Sequence, residues 1–336
     1  MRIRIEQIAY YLPQRVVTNQ ELHEENPSWN ISRIEKRTGV LKRHIAGDDE
    51  TALDLSYQAC EKLFIEASGL RSKVDAIICC TQSGDYVMPP NSCILHDMLD
   101  LPDDVFAFDF NLACSGFIYG LALAQGLICS GIASNILLVT ADTYSKYIHQ
   151  GDRSTRSLFG DGAAVTWLTG SDSPQGLIDI QCSTSGKGHD KFIVPAGGCR
   201  IPKSPETSRP ETDYSGNVRT AENIHMDGMG ILHFARSKVP PQVRRILARN
   251  EMTIDDIDLF VFHQASKIAL DSLVRSLNIP SDKAFQNLHE VGNTVSASIP
   301  IALKHAMESG KVTPGAKVVL CGFGAGLSWG TALLVF

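Results

Sequence analysis

Long apolar runs are absent from this sequence of 336 residues, since none approaches the ~20 residues that a helix needs to cross a bilayer. The start, Met1-Arg-Ile-Arg-Ile-Glu6, alternates polar and apolar residues and has no apolar centre of a secretory signal. A basic excess is absent too, because 31 Lys and Arg stand against 37 Asp and Glu. We therefore expect a cytoplasmic protein that has neither a membrane nor nucleic acid as a bulk partner.

Pairs of Cys or His at the spacing of a zinc site are also missing, so no metal is expected. The nine cysteines do not indicate a disulfide framework, because a cytosolic chain keeps its thiols reduced. Cys79, Cys80 and Cys321 lie in apolar, strand-like runs, where buried cysteine behaves as a small hydrophobe. A catalytic role for any one cysteine must therefore rest on more than its residue type.

What is present is the composition of a globular protein with a large core: 43% of residues are hydrophobic and 20% are charged. Strand-like stretches alternate with helical ones, which predicts an α/β fold with mainly parallel sheets. The length suits two domains of ordinary size.

An internal repeat is the main organising feature of the chain. An offset of 179 residues carries Ser130 onto Ser309 and Cys114 onto Asn293. The strand-like runs 74–80 and 257–262 correspond as well. We therefore predict two duplicated halves packed as α-β-α-β-α layers. The predicted boundaries are 1–170 for the N-terminal half, 171–222 for a connecting segment and 223–336 for the C-terminal half.

Local signals add three expectations. Asp161-Gly162 predicts a tight hairpin turn. Pro240-Pro241 predicts a break or kink in a helix that begins near Gly228. Basic residues along that helix and after His263 form either a solvated surface or a docking surface for an acidic carrier protein; they are Arg236, Lys238, Arg244, Arg245, Arg249 and Lys267.

Cys114 lies where an extended segment turns into a helix of small residues. Free amides and partial positive charge at a helix start lower the pKa of a thiol toward the reactive thiolate. Ala113, Ser115 and Gly116 leave room for a ligand. A cysteine at a helix start is nevertheless more often structural than catalytic.

His263 and Asn293 are the candidates to act with Cys114. His263 follows an apolar strand, and ligands bind at the ends of parallel strands in α/β folds. Asn293 precedes a second helix of small residues, where it can also serve as an ordinary helix cap. Because the repeat relates these positions, we expect the three side chains to converge between the halves.

A glycine-rich segment, Cys321-Gly-Phe-Gly-Ala-Gly326, follows a predicted strand. A dinucleotide-binding loop is excluded, because the glycine spacing does not match and a strand follows where a helix is needed. Because glycine has no side chain, the backbone of this segment can approach a ligand closely, and its amides can then donate to an oxyanion.

Taken together, these segments resemble the β-ketoacyl-[acyl-carrier-protein] synthases III, the initiating condensing enzymes of the thiolase superfamily. The resemblance spans essentially the whole chain. It runs from Arg37-Thr-Gly-Val-Leu-Lys-Arg-His-Ile45 through Asp152-Arg-Ser and Phe159-Gly-Asp-Gly-Ala163 to the glycine-rich segment. It implies the thiolase fold.

The resemblance also implies roles for individual residues. Cys114, His263 and Asn293 would form the catalytic triad, the backbone amides of Cys114 and Ala325 the oxyanion hole, and Phe323 a contact near the malonyl group. An acyl group loaded on Cys114 would condense with a malonyl thioester by decarboxylative Claisen condensation, in fatty-acid or polyketide-type biosynthesis. The partners implied are acyl-CoA, an acyl carrier protein and a second copy in a homodimer. No cofactor of its own is expected, because the substrates carry coenzyme A or phosphopantetheine.

Substrate contacts are where the sequence departs from the family. Arg37 and Arg153 are retained, but Arg33 stands where the family usually has a tryptophan and Met229 where it usually has an asparagine. Met88 aligns with the residue that crosses the dimer interface and limits acyl length. Two alternatives stay open: an acyltransferase to a hydroxyl or amine without condensation, and a non-catalytic partner subunit, whose signature would be a lost cysteine.

Overall fold

The computed structural model describes residues 1–336. The helices, numbered in chain order, are α1 (Asn19–Glu25), α2 (Ile31–Thr38), α3 (Ala52–Glu66), α4 (Asn91–Met98), α5 (Gly116–Cys129), α6 (Arg153–Arg156), α7 (Gly228–Arg249), α8 (Lys267–Leu277), α9 (Leu288–Val291) and α10 (Ser298–Glu308).

The strands are numbered in the same way. They are β1 (Arg2–Tyr11), β2 (Val16–Thr18), β3 (Lys42–His44), β4 (Ala76–Cys80), β5 (Phe106–Phe110), β6 (Asn135–Asp142), β7 (Gly162–Ser171), β8 (Gly176–Thr184), β9 (Phe192–Ile193), β10 (Glu211–Thr212), β11 (Val218–Arg219), β12 (His225–Met226), β13 (Leu259–Phe262), β14 (Lys317–Gly324) and β15 (Ser328–Val335).

The first sheet has the order β1-β7-β6-β4-β5. Strand β4 pairs in parallel with β5 and β6, while β7 runs antiparallel to β1 and β6. Because parallel strands end at the same edge, Cys80, Phe110 and Thr140 lie side by side there. That edge supports the segment leading to Cys114.

The second sheet has the order β13-β14-β15-β8 and repeats the first. Strand β13 is parallel to β14, which forms an antiparallel hairpin with β15. The position that β5 occupies in the first sheet is reduced here to a single bridge between Phe260 and Ala284. The same side-chain hydrogen bond occurs once in each half. The Asp75 carboxylate accepts from the amide of Asn135 in the first, and the Asp258 carboxylate accepts from the amide of Lys317 in the second, both at 2.8 Å.

Helices α5 and α10 lie between the two sheets, since α5 contacts β4 and β6 on one side and β14 and β15 on the other. The helix α3 covers the outer face of the first sheet, and α7 covers that of the second and packs on α8. Apolar α5 residues such as Phe117, Ile118 and Leu121 are fully buried in this central layer. The predicted α-β-α-β-α layering is confirmed.

Three local expectations need correction. The segment 171–222 is more than a connection, because it includes β8, which pairs with β15 in the second sheet. Asp161 forms no tight hairpin turn; its buried carboxylate instead accepts from the amides of Ala46 and Ser145, at 2.8 and 3.0 Å. The helix α7 runs through Pro240 and Pro241 without interruption.

The continuity of α7 has a local reason. A proline removes the amide that would bond the carbonyl four residues earlier. Those carbonyls belong to Arg236 and Ser237, which are exposed, so water can replace the lost donors.

None of the helices combines the length and the apolar composition that crossing a membrane requires.

Candidate active site

Cys114 lies between the end of β5 and the start of α5, two residues before Gly116. Its side chain is buried, with 6% of the residue exposed. The strand β14 approaches so closely that a Cβ on Gly324 would lie 2.9 Å from the Cys114 sulfur. Glycine at 324 is therefore required for the thiol to occupy this position.

Burial raises the pKa of the Cys114 thiol above its ordinary value, and the negative charge of Asp142 raises it further. A hydrogen bond from the Cys114 amide opposes this effect. The pKa of the thiol is therefore raised, whereas the helix start alone predicted a lowered pKa. That prediction was wrong because it did not include the loss of solvation on burial. The resting protein therefore holds a protonated thiol at neutral pH.

His263 directly follows β13 and is buried. Its backbone amide donates to the carbonyl of Cys321 at 2.8 Å, and its Nδ1 lies 2.6 Å from the hydroxyl oxygen of Ser298. The ring meets Phe323 edge-on, with centroids 5.5 Å apart. Burial lowers the pKa of His263 to about 3, so the imidazole is neutral at physiological pH.

Asn293 is held by backbone and side chain together. Its amide donates to the carbonyl of Leu158, and its carbonyl accepts from the amide of Gly160, both at 3.0 Å. Its Oδ1 accepts from the amide of Val295 at 3.0 Å. Its Nδ2 donates to the carbonyl of Ala265 at 3.3 Å. The amide group therefore has a fixed orientation at the start of the second repeated segment.

The structure brings the three candidates together through β14. The Nδ2 of Asn293 lies 3.5 Å from the Nε2 of His263. The same end of β14 supplies Cys321 and Phe323 to His263 and Gly324 to Cys114. His263 and Asn293 are therefore in contact, and β14 lies against both His263 and Cys114.

Two backbone amides at this site donate to no other residue, although that of Cys114 bonds the sulfur of its own side chain. The N–H groups of Cys114 and Ala325, the predicted oxyanion donors, donate no hydrogen bond to another residue. Ala325 follows Gly324 directly and is buried. Free, buried amide donors of this kind can stabilise a developing oxyanion.

Sequence reasoning missed two polar residues that support the site. Ser298, the first residue of α10, is the only side-chain partner of the His263 Nδ1. Asp142, at the end of β6, accepts from the amide of Gln82 at 2.8 Å and from the hydroxyl of Ser296 at 2.5 Å. Its position at the end of a parallel strand, where ligands bind in α/β folds, is the signal that could have identified it.

Asp142 connects the two halves of the molecule. It is buried in the first half, while Ser296 lies three residues after Asn293 in the second. Burial raises the pKa of the Asp142 carboxyl to about 7, although its hydrogen bonds favour the charged form and lower the pKa.

Of the six predicted substrate contacts, one is buried at the site and three are exposed on helices. The buried residue is Phe323, with 1% exposed. Arg33 and Arg37 are exposed on α2, and Met229, with 68% exposed, is the second residue of α7. These three residues lie at the surface.

The two remaining predicted contacts lie in separate places. Arg153 begins α6 and donates to the carbonyl of Ser215 at 3.0 Å. Met88, with 79% exposed, lies in the loop before α4 beside Tyr86 and Val87, which are 65% and 98% exposed.

The six predicted docking residues do not form one free basic surface. Arg249 donates two hydrogen bonds to Asp179, both at 2.6 Å, and Lys267 donates to Asp271 at 2.8 Å. Arg244 donates to the carbonyl of Ser276. The side chains on α7 without such partners are Arg236, Lys238 and Arg245.

No group of three or more His, Cys, Asp or Glu side chains lies close enough to hold a metal ion. The groups described at the site are a thiol, a neutral imidazole, a carboxamide and the backbone amides of Cys114 and Ala325.

Comparison with known proteins agrees with this geometry. The profile of 3-oxoacyl-[acyl-carrier-protein (ACP)] synthase III matches residues 108–186, and that of its C-terminal region matches residues 247–336. The β-ketoacyl-[acyl-carrier-protein] synthase III of Campylobacter concisus is 37% identical over 334 residues, which cover 98% of this chain and 95% of that protein.

Solved structures extend the similarity to three dimensions. A 2.1 Å crystal structure of a 3-oxoacyl-(acyl-carrier-protein) synthase III has a TM-score of 0.97 at 41% identity and covers 100% of both chains. The priming β-ketosynthase of the R1128 polyketide pathway has a TM-score of 0.85 at 28% identity, covering 100% of this chain and 96% of that one. The chain therefore belongs to the β-ketoacyl-[acyl-carrier-protein] synthase III family and is a condensing enzyme with the thiolase fold.

Proposed function

We propose that the protein loads an acyl group on Cys114 and condenses it with a malonyl thioester by decarboxylative Claisen condensation. The observation that carries this proposal is the 3.5 Å contact between the His263 and Asn293 side-chain nitrogens, next to strand β14, whose Gly324 lies against the buried Cys114 thiol. Two neutral donors side by side suit the oxygen of an enolate, which gains negative charge as carbon dioxide leaves.

In the first half-reaction, the Cys114 sulfur attacks the carbonyl carbon of an acyl thioester. A new carbon–sulfur bond forms, the old one breaks, and the leaving thiol takes the proton of Cys114. The free amides of Cys114 and Ala325 hold the oxyanion of the tetrahedral intermediate. Burial favours the protonated thiol, so little thiolate is present at Cys114 before a thioester binds.

In the second half-reaction, the malonyl thioester loses carbon dioxide and leaves an enolate. The carboxylate departs beside the apolar ring of Phe323, which favours loss of its charge. His263 donates through Nε2 when the Ser298 hydroxyl donates to Nδ1, and Asn293 donates through Nδ2. The carbanion then attacks the acyl group on Cys114, and the Cys114 sulfur leaves.

Mass spectrometry of intact protein tests the loading step directly. We expect incubation with an acyl-CoA and acyl-carrier panel to add one acyl mass, located at Cys114. Malonyl thioester should then remove the adduct with one carbon dioxide released per product. Product without carbon dioxide would indicate acyl transfer to a hydroxyl or amine, and no adduct with any donor would indicate a non-catalytic subunit.

We further propose that the priming donor is carrier-bound or carries an unusual acyl group, in preference to acetyl-CoA. The support is compositional: Arg33 and Met229 replace an aromatic ring and a carboxamide, which stack and hydrogen-bond with coenzyme A. Arg33 and Arg37 are exposed, where they can pair with acidic groups of a carrier protein. Steady-state kinetics with matched donors of two to ten carbons test this, and a clear preference for acetyl-CoA would contradict it.

We also propose that the protein is a homodimer. Strand β5 is an open edge of the first sheet, and Phe106 on it is 45% exposed. An open edge favours pairing with another chain. Val87, with 98% exposed, lies in the adjacent loop. Sedimentation analysis should show a dimer that Val87→Asp weakens, whereas a monomeric parent protein at micromolar concentration would rule the proposal out.

The acyl group preferred in the same donor panel would assign the reaction to fatty-acid synthesis or to polyketide-type specialised metabolism. Short straight chains would place it in fatty-acid initiation, and branched or longer chains in a specialised pathway.

A further inference from the structure

A cavity of about 200 Å³ lies on the outer side of the second sheet, and the proposed mechanism does not use it. It is formed between helix α7 and the strands β8 and β15. Of the eight residues that line it, one is hydrophobic, Trp329. A polar cavity with a single aromatic ring is unlike the apolar contacts that bury the rest of α7.

Two cations face this cavity from one helix. Lys238 and Arg245 are seven residues apart, which places them on the same side of α7 two turns apart. Neither has an acidic partner, in contrast to Arg249 on the same helix, which pairs with Asp179. The ammonium of Lys238 lies 6.0 Å from the centre of the Trp329 ring. Two cations without counter-charge at one cavity favour an anion.

The cavity also carries acceptors that lack donors. The side-chain oxygen of Gln181 is buried and has no hydrogen-bond partner. Pro241 has no amide hydrogen, so the carbonyl of Ser237, four residues earlier, has no helical donor. Both residues line the cavity. The Ser237 carbonyl is open to water, so a ligand that carries only negative charge leaves the buried Gln181 oxygen unpaired, whereas a ligand with a hydroxyl group can donate to either acceptor.

The opposite wall is held in place by its own hydrogen bonds. Gln242 donates to the hydroxyl oxygen of Ser183 at 3.1 Å and accepts from the hydroxyl of Thr331 at 3.0 Å. Gln242 is buried, so this pair fixes the orientation of Ser183 at the cavity. The hydroxyl hydrogen of Ser183 stays available to a ligand oxygen.

We propose that this cavity binds a small phosphomonoester that bears at least one hydroxyl group. The phosphate would pair with Lys238 and Arg245, and Arg245 offers the planar fork that matches two phosphate oxygens. The hydroxyl would donate to Gln181 or to the Ser237 carbonyl, while the carbon chain lies on the Trp329 ring. The volume is below the ~300–1,000 Å³ of pockets for drug-sized ligands, so the cavity suits a ligand smaller than a nucleotide or coenzyme A.

The cavity is distinct from the site at Cys114 but lies close to it across the sheet. Trp329 is the cross-strand partner of Phe323 in the β14–β15 hairpin, and the Phe323 ring contacts His263. None of the residues lining the cavity belongs to the triad. Ligand binding therefore should not compete with acylation of Cys114.

Calorimetric titration of the full-length protein with glycerol 3-phosphate tests the proposal, with inorganic phosphate and citrate as matched anions. We expect saturable binding with a dissociation constant below about 1 mM. Lys238→Ala and Arg245→Ala should each weaken binding about tenfold. Arg236→Ala removes the same charge from the same helix outside the cavity, and should leave binding unchanged.

Tryptophan fluorescence supplies a second readout, because Trp329 is one of three tryptophans in the chain. The ligand should change the emission of the parent protein, and Trp329→Phe should abolish that change. Protein alkylated at Cys114 should bind equally well.

Three results would overturn the proposal. The first is no saturable binding of glycerol 3-phosphate up to about 10 mM. The second is an equal loss in Arg236→Ala, which would show that bulk charge attracts the anion. The third is inorganic phosphate or citrate binding as tightly as glycerol 3-phosphate, which would show that no hydroxylated phosphomonoester is selected.

Discussion

The segments that begin at Cys114 and at Asn293 occupy equivalent places in the two halves, yet their backbones differ. Helix α5 begins at Gly116, two residues after Cys114. After Asn293, a 3-10 turn over Val295–Ala297 comes first, and α10 begins only at Ser298. The helices end in register, at Cys129 and Glu308, which keep the offset of 179 residues. The difference is therefore confined to the first turn.

That first turn decides what each half can contribute. In the first half, the short approach to α5 places the thiol and its own free amide at one point. In the second half, Val295 has a φ of +52°, a conformation that costs a β-branched residue energy. It lets the Val295 amide bond the side-chain oxygen of Asn293 and so turns the Asn293 nitrogen toward His263. A duplicated scaffold thus supplies a nucleophile on one side and a hydrogen-bond donor on the other.

The outer edges of the two sheets differ as well. The first sheet ends in the full strand β5, while the second ends in one bridge at Ala284. Only the first sheet therefore offers a complete edge for another chain. The duplication was kept in the layers and lost in the first turns after Cys114 and Asn293 and at one outer edge of the sheets.

Removal of the first half's nucleophile should have the largest effect. We expect Cys114→Ala to abolish the acyl adduct in intact-mass measurements. The matched control replaces the exposed cysteines Cys93, Cys129 and Cys199 by serine and should acylate normally. Inactivation by iodoacetamide with Cys114 unmodified would show that another thiol is the nucleophile.

Removal of the second half's donors should separate the half-reactions. We expect His263→Ala and Asn293→Ala to acylate Cys114 at appreciable rates but to decarboxylate malonyl thioester ~10²–10³-fold more slowly, because each lacks one donor to the enolate. Single-turnover acylation and carbon dioxide release measure the two steps separately. A variant that decarboxylates normally but fails to acylate would show that the roles assigned to the two halves must be exchanged.

The sequence was sufficient to predict the layers and the contact between His263 and Asn293, because both depend on long-range regularities. The repeat relates Cys114 to Asn293, and a strand end places His263, whatever the local backbone does. The error about Asp161 arose because a hairpin signal takes no account of the 19-residue connection, 143–161, between β6 and β7. The direction of the Cys114 pKa was missed because solvation depends on what the second half packs against it.

Ser298 and Asp142 could not be found from local pattern alone. Ser298 is one serine in a serine-rich segment, and only the path of β13 brings the His263 Nδ1 within 2.6 Å of it. Asp142 meets Ser296 across the interface of the halves, 154 residues along the chain.

Loss of Ser298 should have a smaller effect than loss of the donors themselves. We expect Ser298→Ala to slow decarboxylation roughly ten- to a hundredfold, because nothing then fixes which His263 nitrogen carries the hydrogen. Ser298→Thr keeps the hydroxyl and should recover most of the rate. Acylation should be unchanged in both variants. Equal rates for Ser298→Ala and the parent protein would show that the tautomer is fixed by other means.

The smallest expected effect is that of pH on the His263 donor. Burial lowers the pKa of His263 to about 3, so the ring is neutral throughout pH 5–8 and donates equally well across that range. An ordinary histidine would instead lose the neutral form as pH falls through about 6.5. Asp142 is the other buried group that titrates nearby, with a pKa raised to about 7. Asp142→Asn removes that titration, so the rate of malonyl decarboxylation in this variant, measured on enzyme already acylated, should stay constant from pH 5 to 8. An inflection near 6.5 that persists in Asp142→Asn would show that His263 is solvated, and would remove the reason for assigning it a neutral donor's role.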